Sequence, residues 1–127
     1  MNTKLIPVTE LTGRILLASL FLAAGLSKIG AYAGTVGYMQ SVGLPGALLP
    51  LVIGLEVLGA LALILGFQTR VAAFLLAGFS LVSALVFHSN FGDAMQQILF
   101  LKNVSIAGGL LLLVAHGAGP LSIDQRR

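Results

Sequence analysis

The stretch GALLPLVIGLEVLGALALIL, residues 46–65, decides the fold, because its one charged residue is Glu56. A run of this length matches the roughly 20 apolar residues with which a helix crosses the hydrocarbon core of a bilayer. Three more such runs occupy residues 11–29, 71–87 and 98–115. They predict an all-α, four-transmembrane-helix bundle forming a single domain over residues 1–127, with no soluble catalytic module. Composition agrees: 57% of residues are hydrophobic and 9% charged, and the mean hydropathy is +1.03. The first run follows a lysine and contains small residues near its end, as a signal peptide does. It is longer than the roughly 7–15 residues of a signal core and holds Arg14, so it is read as a span.

Charge and cysteine usage narrow the function classes. The net charge is +3, but the seven basic residues are spread along the chain without a patch that would fit nucleic acid. The expected partner is the lipid bilayer. Absence of cysteine removes disulfides, thiol relays, iron–sulfur ligation and c-type haem attachment. His88 and His116 close the third and fourth runs, which places them on opposite faces of the membrane and disfavours a bis-histidine haem. No metal site is expected. With an even number of spans, Lys4, Arg14, Arg70, Arg126 and Arg127 share one side, opposite Lys28 and Lys102. The positive-inside tendency then predicts both termini cytoplasmic, with Arg14 and Arg70 as anchors at that face.

Six polar residues interrupt the hydrocarbon: Lys28, Glu56, His88, Asp93, Lys102 and Asn103. An ionisable group at the centre of a membrane helix costs roughly 2.5–3.5 kcal/mol on insertion scales, so it persists where it is paired, faces a polar interior or does chemistry. Glu56 is too short to reach water from mid-span. Two lysines against one glutamate leave excess positive charge, which suits an anionic, phenolic or quinone-like ligand. Glu56, Lys102 and His88 are therefore the candidate catalytic residues, and Lys28 and Asn103 the candidate ligand-binding ones. A structural reading stands beside this one. Glu56 pairs with Lys28 or Lys102 to fix helix register, Asn103 bonds a neighbouring backbone, Lys28 snorkels to the interface, and His88 is a solvated cap. Asp93 reads as a solvated loop acid.

The connections carry their own signals. Gly66 is placed to cap the second span and Thr69 to open the third. The longer connection from Gly30 to Pro50 holds Tyr32, Tyr38 and Met39 and reads as an interfacial helix or re-entrant lid, or else as an ordered loop. The tail from Gly117 to Arg127 reads as partly disordered. Small residues at Ala73, Ala77, Ser80 and Ala84, and at Gly108 and Gly109, mark faces on which helices approach closely in lipid. On the first span Arg14, Ala18, Phe21, Gly25 and Lys28 share one face, which is expected to point into the bundle.

The segments Gly25-Leu26-Ser27-Lys28, Gly66-Phe67-Gln68-Thr69-Arg70, Phe87-His88-Ser89-Asn90-Phe91 and Lys102-Asn103, in this order and together with Glu56, resemble the DoxX (DoxD-like) family of small integral membrane proteins. The resemblance runs from about Gly13 to Ile123. It implies a membrane protein, of the inner membrane in a Gram-negative cell. It also implies the membrane subunit of a quinone-linked oxidoreductase, in sulfur or redox-stress metabolism, with quinone as cofactor, and it allows a redox partner subunit or a homo-oligomer. By similarity, Lys28, Glu56, His88, Lys102 and Asn103 match a polar intramembrane site. A proton-coupled anion or small-molecule transporter and a non-catalytic membrane scaffold are the alternative functions.

Overall fold

The computed structural model describes residues 3–126 and is all-helical. Five α-helices follow in order: α1 (Leu5–Gly30), α2 (Tyr32–Ser41), α3 (Leu49–Leu65), α4 (Thr69–Phe87) and α5 (Ala94–His116). A 3-10 turn, Gly46–Leu48, leads into α3 and makes one span of Gly46–Leu65. Four helices are thus long and apolar enough to cross a membrane, as the sequence predicts. Three are longer than predicted, α4 by the two residues Thr69 and Arg70 at its start. Helix α1 starts at Leu5, with Pro7 in the first turn, where backbone N–H groups have no intrahelical partner to lose. Helix α5 starts at Ala94 because Asp93 caps it, its carboxylate accepting from Met95 N at 2.9 Å. Asp93 therefore has a structural task beyond that of a solvated loop acid.

The buried stripe of α1 is Arg14, Ala18, Phe21 and Gly25, the helical spacing that the sequence suggests. Helix α1 lies along α3, α3 along α4, and α4 along α5. Ala18, Phe21, Ala60, Leu63, Ala73, Leu76, Ala77, Ala107 and Leu110 form the core where all four meet. Small residues allow this approach, as anticipated for the α4 stripe, and Ser80 and Ala84 are buried with it. On α5 the glycine pair divides. Gly109 faces Leu17 of α1 at 3.6 Å from where a Cβ would stand, whereas Gly108 meets nothing.

The two ends of the bundle are built differently. At the end that carries both termini, the residue 117–126 tail is folded back onto the α3–α4 turn. Ile123 N donates to Leu65 O at 3.1 Å and Asp124 N to Gly66 O at 2.8 Å, covering carbonyls at the end of α3. The Asp124 carboxylate accepts from Gln68 N at 2.8 Å and Thr69 N at 2.9 Å, so a residue remote in sequence caps α4. Two expectations are corrected here. Thr69 is the first residue of α4 and not its cap, and the tail is ordered because it supplies the partners that the turn lacks. Gly66 does close α3 in the left-handed conformation, as expected.

Arg14 is the third correction. Instead of anchoring at an interface it is fully buried. Its Nη1 donates to Leu63 O at 2.9 Å and to Ile64 O at 3.4 Å, and its Nη2 donates to Leu121 O. The guanidinium fork thus bolts α1 to the end of α3 and to the tail, satisfying backbone carbonyls that lipid could not. Arg70 is exposed, as an anchor would be. Arg127, counted among the basic residues of this end, lies outside the described residues, as does the side chain of Arg126.

At the opposite end the α1–α3 connection is a helix, which is the first of the readings the sequence left open. Helix α2 lies across this end, with Met39 buried. The ring of Tyr38 stacks on Phe87 of α4, with centroids 5.2 Å apart and planes inclined by 17°.

Candidate functional site

Beneath α2, in the half of the bundle away from the termini, lies a cavity of about 420 Å³. This is within the size range of small-molecule sites. All five sequence-predicted site residues line it: Lys28, Glu56, His88, Lys102 and Asn103. Most of the wall is apolar, with rings from Phe21, Phe79 and Phe87. Asp93 is not part of it.

Glu56 is held by backbone proximity. A Cβ at Gly25 would come within 2.7 Å of Val57 Cγ2 and 3.2 Å of Glu56 Cβ, so only glycine lets α1 and α3 lie this close. One turn further along α1, Lys28 Nζ reaches Glu56 Oε1 at 2.7 Å. The pair is asymmetric: the Lys28 side chain is 28% exposed and that of Glu56 3%. Lysine can withdraw along its hydrocarbon stem to the membrane surface, and the carboxylate cannot. Lys28→Met, which strands the carboxylate, is therefore expected to cost about 3–5 kcal/mol. Glu56→Gln should cost less, and the double variant should recover most of the loss. Unfolding followed by far-UV circular dichroism checks this order.

The remaining residues divide by how well they are satisfied. Asn103 Nδ2 donates to Ser80 O at 3.3 Å, tying α5 to α4, so the structural task and the cavity wall coincide in one residue. His88 ends α4, its backbone N–H bonding Ala84 O at 3.0 Å. It is the C-cap of α4, as one sequence reading has it, and is half-buried, with ring Nδ1 buried and without a hydrogen-bond partner among the described residues. Lys102 does not reach Glu56. It lies at the rim of the cavity, exposed on the outside of the bundle and in no ion pair among the described residues. Among those residues, no three His, Asp or Glu side chains are grouped to hold a metal ion.

Tyr38, Met39 and Ser83 also line the cavity. The interfacial signal of Tyr38 and Met39 was present in the sequence, but that α2 would fold over the polar cluster was not. Arg14 stands out in the sequence as a charge inside the first span, but its role does not, because its acceptors are backbone carbonyls.

These features define a four-span helical membrane protein with an internal ligand-sized cavity in one half, lined by an ion pair and further polar groups. The chain belongs to the DoxX family, whose model matches residues 9–89, that is, α1 through α4 and His88. Two similar proteins of Escherichia coli (strain K12) extend the likeness over α5. Inner membrane protein YqjF is 50% identical over 122 residues, covering 96% of this chain and 94% of that protein. Inner membrane protein YphA is 40% identical over 127 residues, covering 94% and 91%. No solved structure matches the chain. It is a multi-pass membrane protein, and its relatives place it in the inner membrane.

Proposed function

We propose that this chain is the ligand-binding membrane subunit of a quinone-linked oxidoreductase, fed with electrons by a partner protein or by a substrate of sulfur or redox-stress metabolism. The observation that carries the reading is the apolar-walled cavity that contains the Lys28–Glu56 pair and brings His88, Lys102 and Asn103 to the same wall. Phe21, Phe79 and Phe87 would hold a flat ring in such a chamber, and His88 and Lys102 would hydrogen-bond oxygens at its edges.

A bound quinone supplies acceptance of two electrons and two protons. The chain's own residues do the rest. His88 and Lys102 orient the oxygens by hydrogen bonding, Asn103 stiffens the wall, and Glu56 holds and releases a proton at its carboxylate. Lys28 is the partner of that carboxylate once the proton has left. The packed core and the Arg14 bolt close the other half of the bundle, which favours binding from one side over passage across the membrane.

Gentle extraction from the native membrane, followed by mass spectrometry of small molecules and co-purifying polypeptides, tests the reading. A stoichiometric quinone is expected, and its loss in His88→Ala. Reproducible absence of quinone from folded protein would overturn the proposal. Substrate uptake by proteoliposomes without a redox partner would replace it with transport.

A further inference from the structure

The seam between α1 and α5 is closed in one half and open in the other. In the half near the termini, Leu17 Cδ2 lies 3.6 Å from where a Cβ on Gly109 would stand. Ala24 and Lys102 stand seven residues further along their helices, on the same faces as Leu17 and Gly109. Both line the cavity there, together with Leu20 and Ile106. Leu20 is 40% exposed on the outside of the bundle while also facing the cavity, so the wall at this seam is a single side chain thick. On the other side of the cavity the Tyr38–Phe87 stack ties α2 to α4.

Lys102 stands at this seam. It is the ninth residue of α5, roughly 12 Å from the helix start at 1.5 Å per residue. No carboxylate among the described residues pairs with it. An ammonium at that depth, turned toward both lipid and cavity, has a place for an electron-rich partner that arrives from the bilayer.

We infer that the cavity is loaded sideways from the bilayer through the α1–α5 seam, by an amphiphile whose oxygen-bearing head is drawn in by Lys102 while its hydrocarbon tail stays between Leu20 and Ile106. The inference rests on the quinone-binding reading above and adds the route and the tail. A water-soluble head alone would lack the contacts that seat it.

The chain contains no tryptophan, so Phe79→Trp in a lipid nanodisc gives one fluorophore in the cavity wall. Its quenching by a decyl-tailed benzoquinone is compared with that by the tailless benzoquinone at equal membrane concentration. Quenching by the tailed probe is expected to be the stronger. Ala24→Leu, which fills the seam, should slow it about tenfold, within the 1–3 decades over which association rates vary among variants of one site. Leu85→Phe, on the lipid face of α4 away from the cavity, controls for bilayer disturbance and should leave the rate unchanged. Equal quenching by both probes, with no slowing in Ala24→Leu, would overturn the lateral route and leave quinone binding standing. Failure of both probes to quench would overturn the route and quinone binding together. Circular dichroism matching the parent verifies that Ala24→Leu is folded.

Discussion

Gly66→Val is expected to abolish the folded bundle, and Gly66→Ala to lower its apparent melting temperature steeply. Gly66 has φ +71°, and an L-residue in the left-handed region costs roughly 1–2 kcal/mol, more for a branched one. The larger effect is steric. A Cβ at this position would overlap the Ser122 side chain and come within 2.6 Å of Arg14 Nη1. Relief requires the tail to lift, which would expose the carbonyls of Leu65 and Gly66 and remove the Asp124 cap from α4 at the same time. A combined loss of several kcal/mol follows, a large fraction of the roughly 5–15 kcal/mol that holds a domain folded. Gly108→Ala is the control, since a Cβ there meets nothing within 4 Å, and it should be neutral. Far-UV circular dichroism in mild detergent reads both.

Arg14→Leu is the second large effect. The substitution keeps bulk and hydrophobicity in a transmembrane helix, so a reading by hydropathy alone would call it stabilising. The structure predicts the reverse, because Leu63 O and Leu121 O would lose their donor. A loss of about 3–5 kcal/mol is expected, the scale for breaking one side of a buried charged contact. Arg14→Lys should rescue little, since an ammonium cannot span acceptors on both α3 and the tail. Hydrogen exchange locates the damage. The amides of Ile123 and Asp124, which bond Leu65 O and Gly66 O, should lose protection well before those of α4.

The contrast between Arg14 and the cavity residues shows what a sequence makes legible. The spans follow from hydropathy because in lipid each helix must satisfy its own backbone, whatever its neighbours do. Lys28, Glu56, His88, Lys102 and Asn103 stand out because charged and polar side chains are rare in such runs, and all five line one cavity. Their pairing was not legible. Either lysine could have met Glu56, and the choice falls to Lys28 because Gly25 lets α1 close on α3. Arg14 was misread because its acceptors lie 49 and 107 residues away along the chain and are carbonyls, which every residue carries. The tail was misread for the same reason, its partners being backbone groups of a turn. Asp124 does the work assigned to Thr69, and only the fold brings it there.

Where the fastenings lie also bears on the order in which the molecule is made. Leu121, Ile123 and Asp124 leave the ribosome after all four spans have been synthesised, yet they complete the hydrogen bonding of the end of α3 and the start of α4. Until they arrive, the membrane holds four inserted helices with open carbonyls at the α3–α4 turn and an Arg14 fork only partly engaged. Insertion and completion are thereby separate events. A chain halted before Leu121 would have every span in place and still lack the piece that locks them.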